Sequence, residues 1–253
     1  MCIRDRSRGI RLIENYDEKE LEKIYKYCKE NSNSGRLLVE EFMQGPEVSV
    51  ETISYKGICH VIQVTDKITT GAPYFVEMGH SQPSSLDKET IEKIRKVAIN
   101  ANKAIGIENG PSHTEIKVTK DGPKVVELGA RLGGDNITTH LVPYSTGVNM
   151  VEASINIALG QEINIRKKFE KASAARYKKC DIGKIIKITG VKEAEEVSGI
   201  KNVEIVHGLG EQSREIKSSN DRVAYVISQN DNISNAMKSC EKALEMIKIE
   251  VEK

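Results

Sequence analysis

Tryptophan is absent from the 253-residue sequence, phenylalanine occurs three times and tyrosine eight. A single-stranded nucleic-acid platform, which stacks successive bases on aromatic rings, finds no material here. An excess of either charge is also missing: 38 Lys and Arg stand against 37 Asp and Glu, a formal net charge of +1. Neither nucleic acid nor an anionic membrane surface meets an electrostatic counterpart in such a chain. No apolar run approaches the roughly 18 residues that a helical membrane span requires, and no signal-peptide h-region opens the chain. The five cysteines, Cys2, Cys28, Cys59, Cys180 and Cys240, are scattered, odd in number and form no C-x-x-C pair. That argues against a disulfide scaffold or a zinc site and fits reduced thiols in a cytoplasmic protein. Nothing in the pattern fixes the oligomeric state, and a homo-oligomer is compatible with it.

What is there is a globular composition, 38% hydrophobic and 30% charged, whose core must rest on Ile, Val and Leu. The opening MCIRDRS has neither periodicity nor capping logic, and residues 1–6 read as a non-native leader. Asp17 and Glu20 stand in capping-box spacing before a helix that reaches about Glu30. Strands are expected at 37–42, 47–55 and 58–66, then a long loop at about 67–86, of a length that in compact domains is usually functional. The clearest helix spans 87–105 and ends at Gly106; residues 112–129 form a β-hairpin about Asp121-Gly122; a further helix lies near 146–159. The charged stretch 163–173 reads as a linker. Beyond it, strands at 183–190, 203–208 and 222–228 and a helix at 232–249 make a smaller α+β unit. The chain thus divides into residues 7–165 and 172–253, and its fold class is α+β.

Glu115 and Glu127 lie on the two arms of the hairpin. Hard divalent cations take oxygen ligands, and two carboxylates on neighbouring strands can hold Mg²⁺ together with substrate phosphates. Alone, the pair reads more readily as an outward-facing couple on a solvated strand, since charged residues are mostly exposed. The string ELGARLGGDN adds Arg131, a guanidinium suited to a transferring phosphoryl group, and Gly133-Gly134, where backbone can approach a ligand. VEEFMQGPEVSVE (39–51) can form a hinge whose backbone reads an adenine edge and whose carboxylate accepts ribose hydroxyls; the plainer alternative is an acidic strand pair. In DKITTGAPYFVEMGHSQPS (66–84), Lys67 can neutralise phosphate, and Glu77 with His80 can hold the ammonium and carboxylate of an amino acid. A single His is otherwise most often a structural donor, the reading that His60, His113, His140 and His207 receive.

Taken together, LLVEEFMQGPEVSVE, DKITTGAPYFVEMGH, GPSHTEIKVTKDGPKVVELGARLGGDNITTHLV and STGVNMVEASINIALG resemble, in that order, the C-terminal portion of ATP-grasp carboxylate–amine ligases. The similarity is to the amino-acid and dipeptide ligase branch, related to biotin carboxylase and carbamoyl-phosphate synthetase, and covers about residues 7–165. The tail is similar, more loosely, to the small domain that follows the grasp fold in carboxylase-like members. The resemblance implies an antiparallel sheet with helices, and ATP and Mg²⁺ (or Mn²⁺) as cofactors. It implies small carboxylate and amine substrates, joined through an acyl phosphate. Glu40 and the Met43 backbone would contact adenine, Glu47 the ribose and Lys67 the phosphates. Glu115 and Glu127 would ligate Mg²⁺, and Arg131 would steady the acyl phosphate. Glu77 and His80 would line the amino-acid pocket.

Two positions depart from the family pattern. Gly129 stands where the family often has Asn in E-x-N-x-R, which loosens the expected metal site. Asp135 stands where dipeptide ligases carry a bulky pocket residue, which suggests a different, cationic acceptor. The family's first grasp lobe, with its ATP-binding Lys and glycine-rich loop, is not in the sequence; Ser7-Arg8-Gly9-Ile10 resembles that loop's tail. The expectation is a truncated fragment that turns over little by itself. Two other readings stay open: a biotin-carboxylase-like protein activating bicarbonate, and a non-catalytic nucleotide-binding remnant.

Overall fold

Strand pairing organises this protein more than its helices do. The computed structural model describes residues 9–14 and 16–253. The leader read at 1–6 lies outside the described residues, as do Ser7 and Arg8. Helix α1 (Glu18–Glu30) is capped as its sequence predicts, the Asp17 carboxylate accepting from the Glu20 amide at 3.0 Å. None of its residues is buried. The strand expected at 37–42 does not form: the segment is irregular, and Leu38, Val39 and Phe42 are exposed. An apolar run makes no strand without a partner, and the next strand in the chain, β1 (Glu47–Tyr55), has both edges occupied by β2 and β4.

Strand β2 (Ile58–Thr69) runs past its expected end, and β3 (Glu77–Gln82) lies inside the stretch read as a long loop, leaving 70–76 and 83–86 irregular. Pairing on both sides, with β2 and with β6, makes a strand of the otherwise polar EMGHSQ. Helix α2 (Lys88–Ala104) begins at the Asp87 cap, whose carboxylate accepts from the Thr90 amide at 2.9 Å. Strands β4 (Gly110–Thr119) and β5 (Gly122–Gly129) are the expected hairpin. A π-helical turn at Ile137–Leu141 leads into α3 (Val142–Thr146) and then α4 (Met150–Ala158).

After the irregular stretch 161–171 come β6 (Ala172–Lys178), β7 (Gly183–Thr189), α5 (Val191–Glu195), β8 (Ile200–Ile205), β9 (Gln212–Ser213), β10 (Ala224–Asn230), α6 (Ile233–Met246) and β11 (Lys248–Glu252). The helix expected to reach 249 stops at Met246, and the alternating KIEVE pairs with β7 instead. Every ladder is antiparallel, and one eight-stranded sheet runs in the order β5-β4-β1-β2-β3-β6-β10-β8, with β11-β7-β9 forming a second. The β3–β6 ladder carries the main sheet across the irregular stretch. Helices cover both faces. Ile94 and Ala98 of α2 pack on Val48, Val50, Val64 and Ile116, and Ala236, Cys240 and Ala243 of α6 pack on Ala172, Ala174 and Val226. Ile137, Leu141, Val142 and Met150 pack on the opposite face with Ile53, Ile62, Ala175 and Ile227. No helix among the described residues is long and apolar enough to cross a membrane.

Candidate active site

Register places the charged residues on one face of the sheet. Glu47 pairs with Lys117, Ser49 with Glu115 and Glu51 with His113 across β1 and β4. His80 on β3 stands opposite Lys67 on β2, and Glu127 on β5 opposite Glu115. Side chains directly opposite share a face, as do every second residue along a strand, so valines 48 and 50 turn to α2 while the charged set turns away. That charged face lines a cavity of about 950 Å³, with Lys67, Glu77, His80, His113, Glu115, Glu127 and Arg131 in its wall.

A one-residue bulge decides the carboxylate pairing. From Thr119↔Gly122 to Ile116↔Val125 the hairpin is regular; between Ile116 and Glu115 it slips, so that Glu115 faces Glu127. Continued without the slip, the register would set Val126 opposite Glu115 and turn Glu127 to the other face. Burial, and next the like charge of Glu115, push the Glu127 carboxyl up to about 7. Among the described residues its nearest cation is Arg131, Nη2 to Oε1 at 4.0 Å.

Glu115 is held differently. Lys67, 3% exposed at its side chain, places Nζ 2.8 Å from Glu115 Oε1, 2.8 Å from Glu47 Oε1 and 3.5 Å from Glu77 Oε1. Burial works against each charge, but the lysine outweighs it at Glu115, whose pKa lies far below the usual carboxylate range. Glu115, Glu47 and Glu77 hold the lysine far above its own range. His113 extends the chain of charges, with Nδ1 2.7 Å from Glu51 Oε1 and Nε2 3.4 Å from Glu115 Oε1. Burial again opposes its charge, and the two carboxylates outweigh it and raise the imidazole to about 9. Gly133 lies against this couple: a Cβ there would stand 2.6 Å from Glu51 Oε2 and 2.8 Å from His113 Nδ1. Gly133→Ala is therefore expected to cost about 1–3 kcal/mol through overpacking. Thermal or urea unfolding measures that cost, and an unchanged midpoint would show the site to be looser than this geometry.

The remaining expected residues fall into two groups. Arg131 reaches the cavity half-exposed and folds back over Gly129, where a Cβ would lie 3.3 Å from its Cγ and Nε. Asp135 and His80 line the cavity, but Asp135 does not stand as a bare anion for a cationic acceptor. Arg222 grips both its oxygens at 2.8 Å and His80 Nε2 lies 3.3 Å from Oδ2, which despite burial holds its carboxyl well below the usual range. Glu47 reaches the site only through its ion pair with Lys67; neither it nor Glu40 and Met43, which sit in the irregular segment, belongs to the cavity wall. Glu51, Tyr177 and Arg222 take part without having been singled out, and His113, read as a structural donor, pairs with Glu51. A glutamate in the middle of the expected strand 47–55 was the signal for Glu51, which the fold buries completely.

An antiparallel sheet bears paired carboxylates beside a cavity, and comparison with known proteins gives the family of this fold. The chain belongs to the ATP-grasp family: residues 6–139 match the ATP-grasp domain, and residues 180–252 match the L-amino acid ligase C-terminal domain 2. It is 28% identical over 246 residues to the uncharacterized protein y4rH of Sinorhizobium fredii, covering 95% of this chain and 50% of that protein. It is 31% identical over 134 residues to alanine–anticapsin ligase of Bacillus subtilis, covering 48% of this chain and 28% of that enzyme. The crystal structure of L-amino acid ligase from Bacillus licheniformis superposes with a TM-score of 0.80 at 26% identity, over 94% of this chain and 61% of that one. The chain thus spans half or less of the length of these curated relatives.

Proposed function

We propose that this protein is part of an ATP- and Mg²⁺-dependent ligase that joins a carboxylate to an amine, with an amino acid among its substrates. The observation that carries the reading is the cross-strand pair Glu115–Glu127 facing the cavity, with Arg131 beside it. Among the described residues no three His, Cys, Asp or Glu side chains converge into a ready-made metal cage. Two carboxylates suit Mg²⁺, which keeps several waters and takes one or two carboxylates plus substrate phosphates; Mn²⁺ accepts the same donors. When bound, the ion would neutralise phosphate charge and hold the nucleotide against the sheet.

The side chains divide the remaining work. A substrate carboxylate oxygen attacks the γ-phosphorus of ATP, ADP leaves, and the amine nitrogen then displaces phosphate from the acyl carbon. Arg131, flexible and half-exposed, meets the negative charge of the acyl phosphate and of the departing phosphate. Lys67 and His113 fix the direction of Glu115, while Glu77 and His80 face the amino acid. Glu47 takes the ribose and Glu40 with the Met43 backbone the adenine, which requires the 36–44 segment to close on the nucleotide. Catalysis then rests on position and electrostatics, since phosphoryl transfer asks little covalent work of the protein.

We place turnover in a longer protein and expect this chain by itself to release little ADP. The test is ADP release by the longest open reading frame containing this chain, over panels of amino-acid pairs, with Mg²⁺ and with chelator. Amine-dependent release that is lost on Arg131→Ala supports the reading. Tight Mg²⁺-nucleotide binding with no release for any carboxylate would overturn it in favour of a nucleotide-binding remnant. Release with bicarbonate but no amino acid would favour the carboxylase-like alternative.

A further inference from the structure

Two consecutive non-glycine residues, Asp135 and Asn136, occupy the left-handed backbone region, at φ 50° and 64°. Aspartate and asparagine visit that region singly; two in succession persist only where their surroundings over-determine them. Their turn closes the glycine-rich segment that carries Arg131 and opens the helical turn at Ile137, whose amide donates to the Gly134 carbonyl at 2.8 Å.

What holds this turn comes from far along the chain. Arg222 donates Nη1 to Asp135 Oδ2 and Nη2 to Oδ1, each at 2.8 Å. The same guanidinium donates Nη1 to the Glu77 carbonyl at 3.1 Å and Nε to the Ser219 carbonyl at 2.8 Å. It stacks on the Tyr177 ring with its central carbon 3.7 Å from the centroid, and the Tyr177 hydroxyl donates to the Asp135 carbonyl at 2.8 Å. Side chain and backbone of Asp135 are therefore both gripped, from β6 and from the residues preceding β10. A planar five-donor fork can chelate, stack and bond two carbonyls at once; an ammonium cannot.

We propose that Arg222 is a positioning residue: with Tyr177 it fixes the Asp135–Asn136 turn, and through that turn the placement of Arg131 and of the Gly133-Gly134 backbone at the cavity. The clamp stands on the geometry alone, and only its kinetic consequence rests on the ligase reading.

The test is hydrogen–deuterium exchange of the whole chain with Arg222→Lys and Arg222→Ala. Amides of 131–137 are expected to exchange about ten-fold faster or more in both, while those of β4 and β5 keep the parent rates. Ethylguanidinium, which restores the fork without its tether, is expected to return protection in Arg222→Ala. Unchanged exchange at 131–137, or equal acceleration throughout β4 and β5, would overturn the clamp. If Arg222→Ala does not fold, Tyr177→Phe, which removes only the hydroxyl bond to Asp135, answers the same question alongside Arg222→Lys. In the protein that turns over substrate, Arg222→Lys is expected to lower kcat about ten-fold with KM for ATP within about two-fold. Full kcat despite faster exchange would overturn the link to Arg131, and a parent without turnover would sink the ligase reading while leaving the exchange result to decide the clamp.

Discussion

Lys67→Met is expected to destabilise the fold by about 3–5 kcal/mol at neutral pH, the range seen when one partner of a buried ion pair is removed. Three carboxylates, Glu47, Glu77 and Glu115, converge on this one ammonium, which is 3% exposed. Methionine fills the space and leaves the three charges facing one another. The pH dependence follows from the direction of each shift. Glu115 is depressed in the folded state, so its contribution is present above its ordinary value of 4.5 and fades as pH falls below it. Lys67 is raised, so its contribution is present below its ordinary value of 10.5 and fades only at higher pH. The gap between parent and variant should be full between about pH 5 and 10 and shrink on acidification, as protonation relieves the variant's repulsion. Urea unfolding of both proteins at pH 7.5 and pH 4 in chelator measures it. A gap below about 1 kcal/mol at pH 7.5 would reduce Lys67 to a surface-like pairing, free to serve as the phosphate ligand its position in the motif first suggested.

That hub also shows where sequence reasoning stops. The hairpin of β4 and β5, the helix α2 and the cap at Asp17 were legible because each is a local pattern: alternation about a turn, 3.6-residue periodicity, a carboxylate three residues before an amide. Partnership between distant segments was not. LLVEEF, an apolar run before the Gly45-Pro46 break, reads as a strand, yet β1 has no free edge to offer it; EMGHSQ lacks an apolar stripe, yet becomes β3 because two neighbours pair with it. The helix–strand break at Ile247 carries neither Gly nor Pro. Within the site, Glu115 and Glu127 were readable as a pair, but nothing in KVVEL says which residue of β5 is extra, and that single slip decides which way Glu127 faces. The partner of Asp135 lies 87 residues away. From the sequence, an aspartate at that position reads as an acidic pocket; only the fold shows that its charge is already matched.

Glu127→Gln is expected to abolish metal-dependent turnover, by about 100-fold or more in kcat/KM, equivalent to at least about 2.7 kcal/mol of transition-state stabilisation. The fold should not suffer, which separates this variant from Lys67→Met. The Glu127 carboxyl titrates near 7 because burial and the neighbouring Glu115 disfavour its charge. A carboxyl raised in this way holds its proton in the folded state above its ordinary value of 4.5, so stability falls as pH rises from about 4.5 through 7. Glutamine, of the same shape and uncharged, is exempt from that fall. In chelator at pH 8 it should be more stable than the parent by about 1–2 kcal/mol, once solvent screening is allowed for, and no more stable at pH 4. Mg²⁺ should reverse the order. It binds the folded parent and raises its melting temperature through mass action, while the variant, with one carboxylate left, responds weakly. Melting curves at pH 8 with and without Mg²⁺, followed by Mn²⁺ titration read by electron paramagnetic resonance, test binding independently of turnover. A variant that matches the parent in both metal response and ADP release would take Glu127 out of the metal site, and with it the observation on which the ligase reading stands.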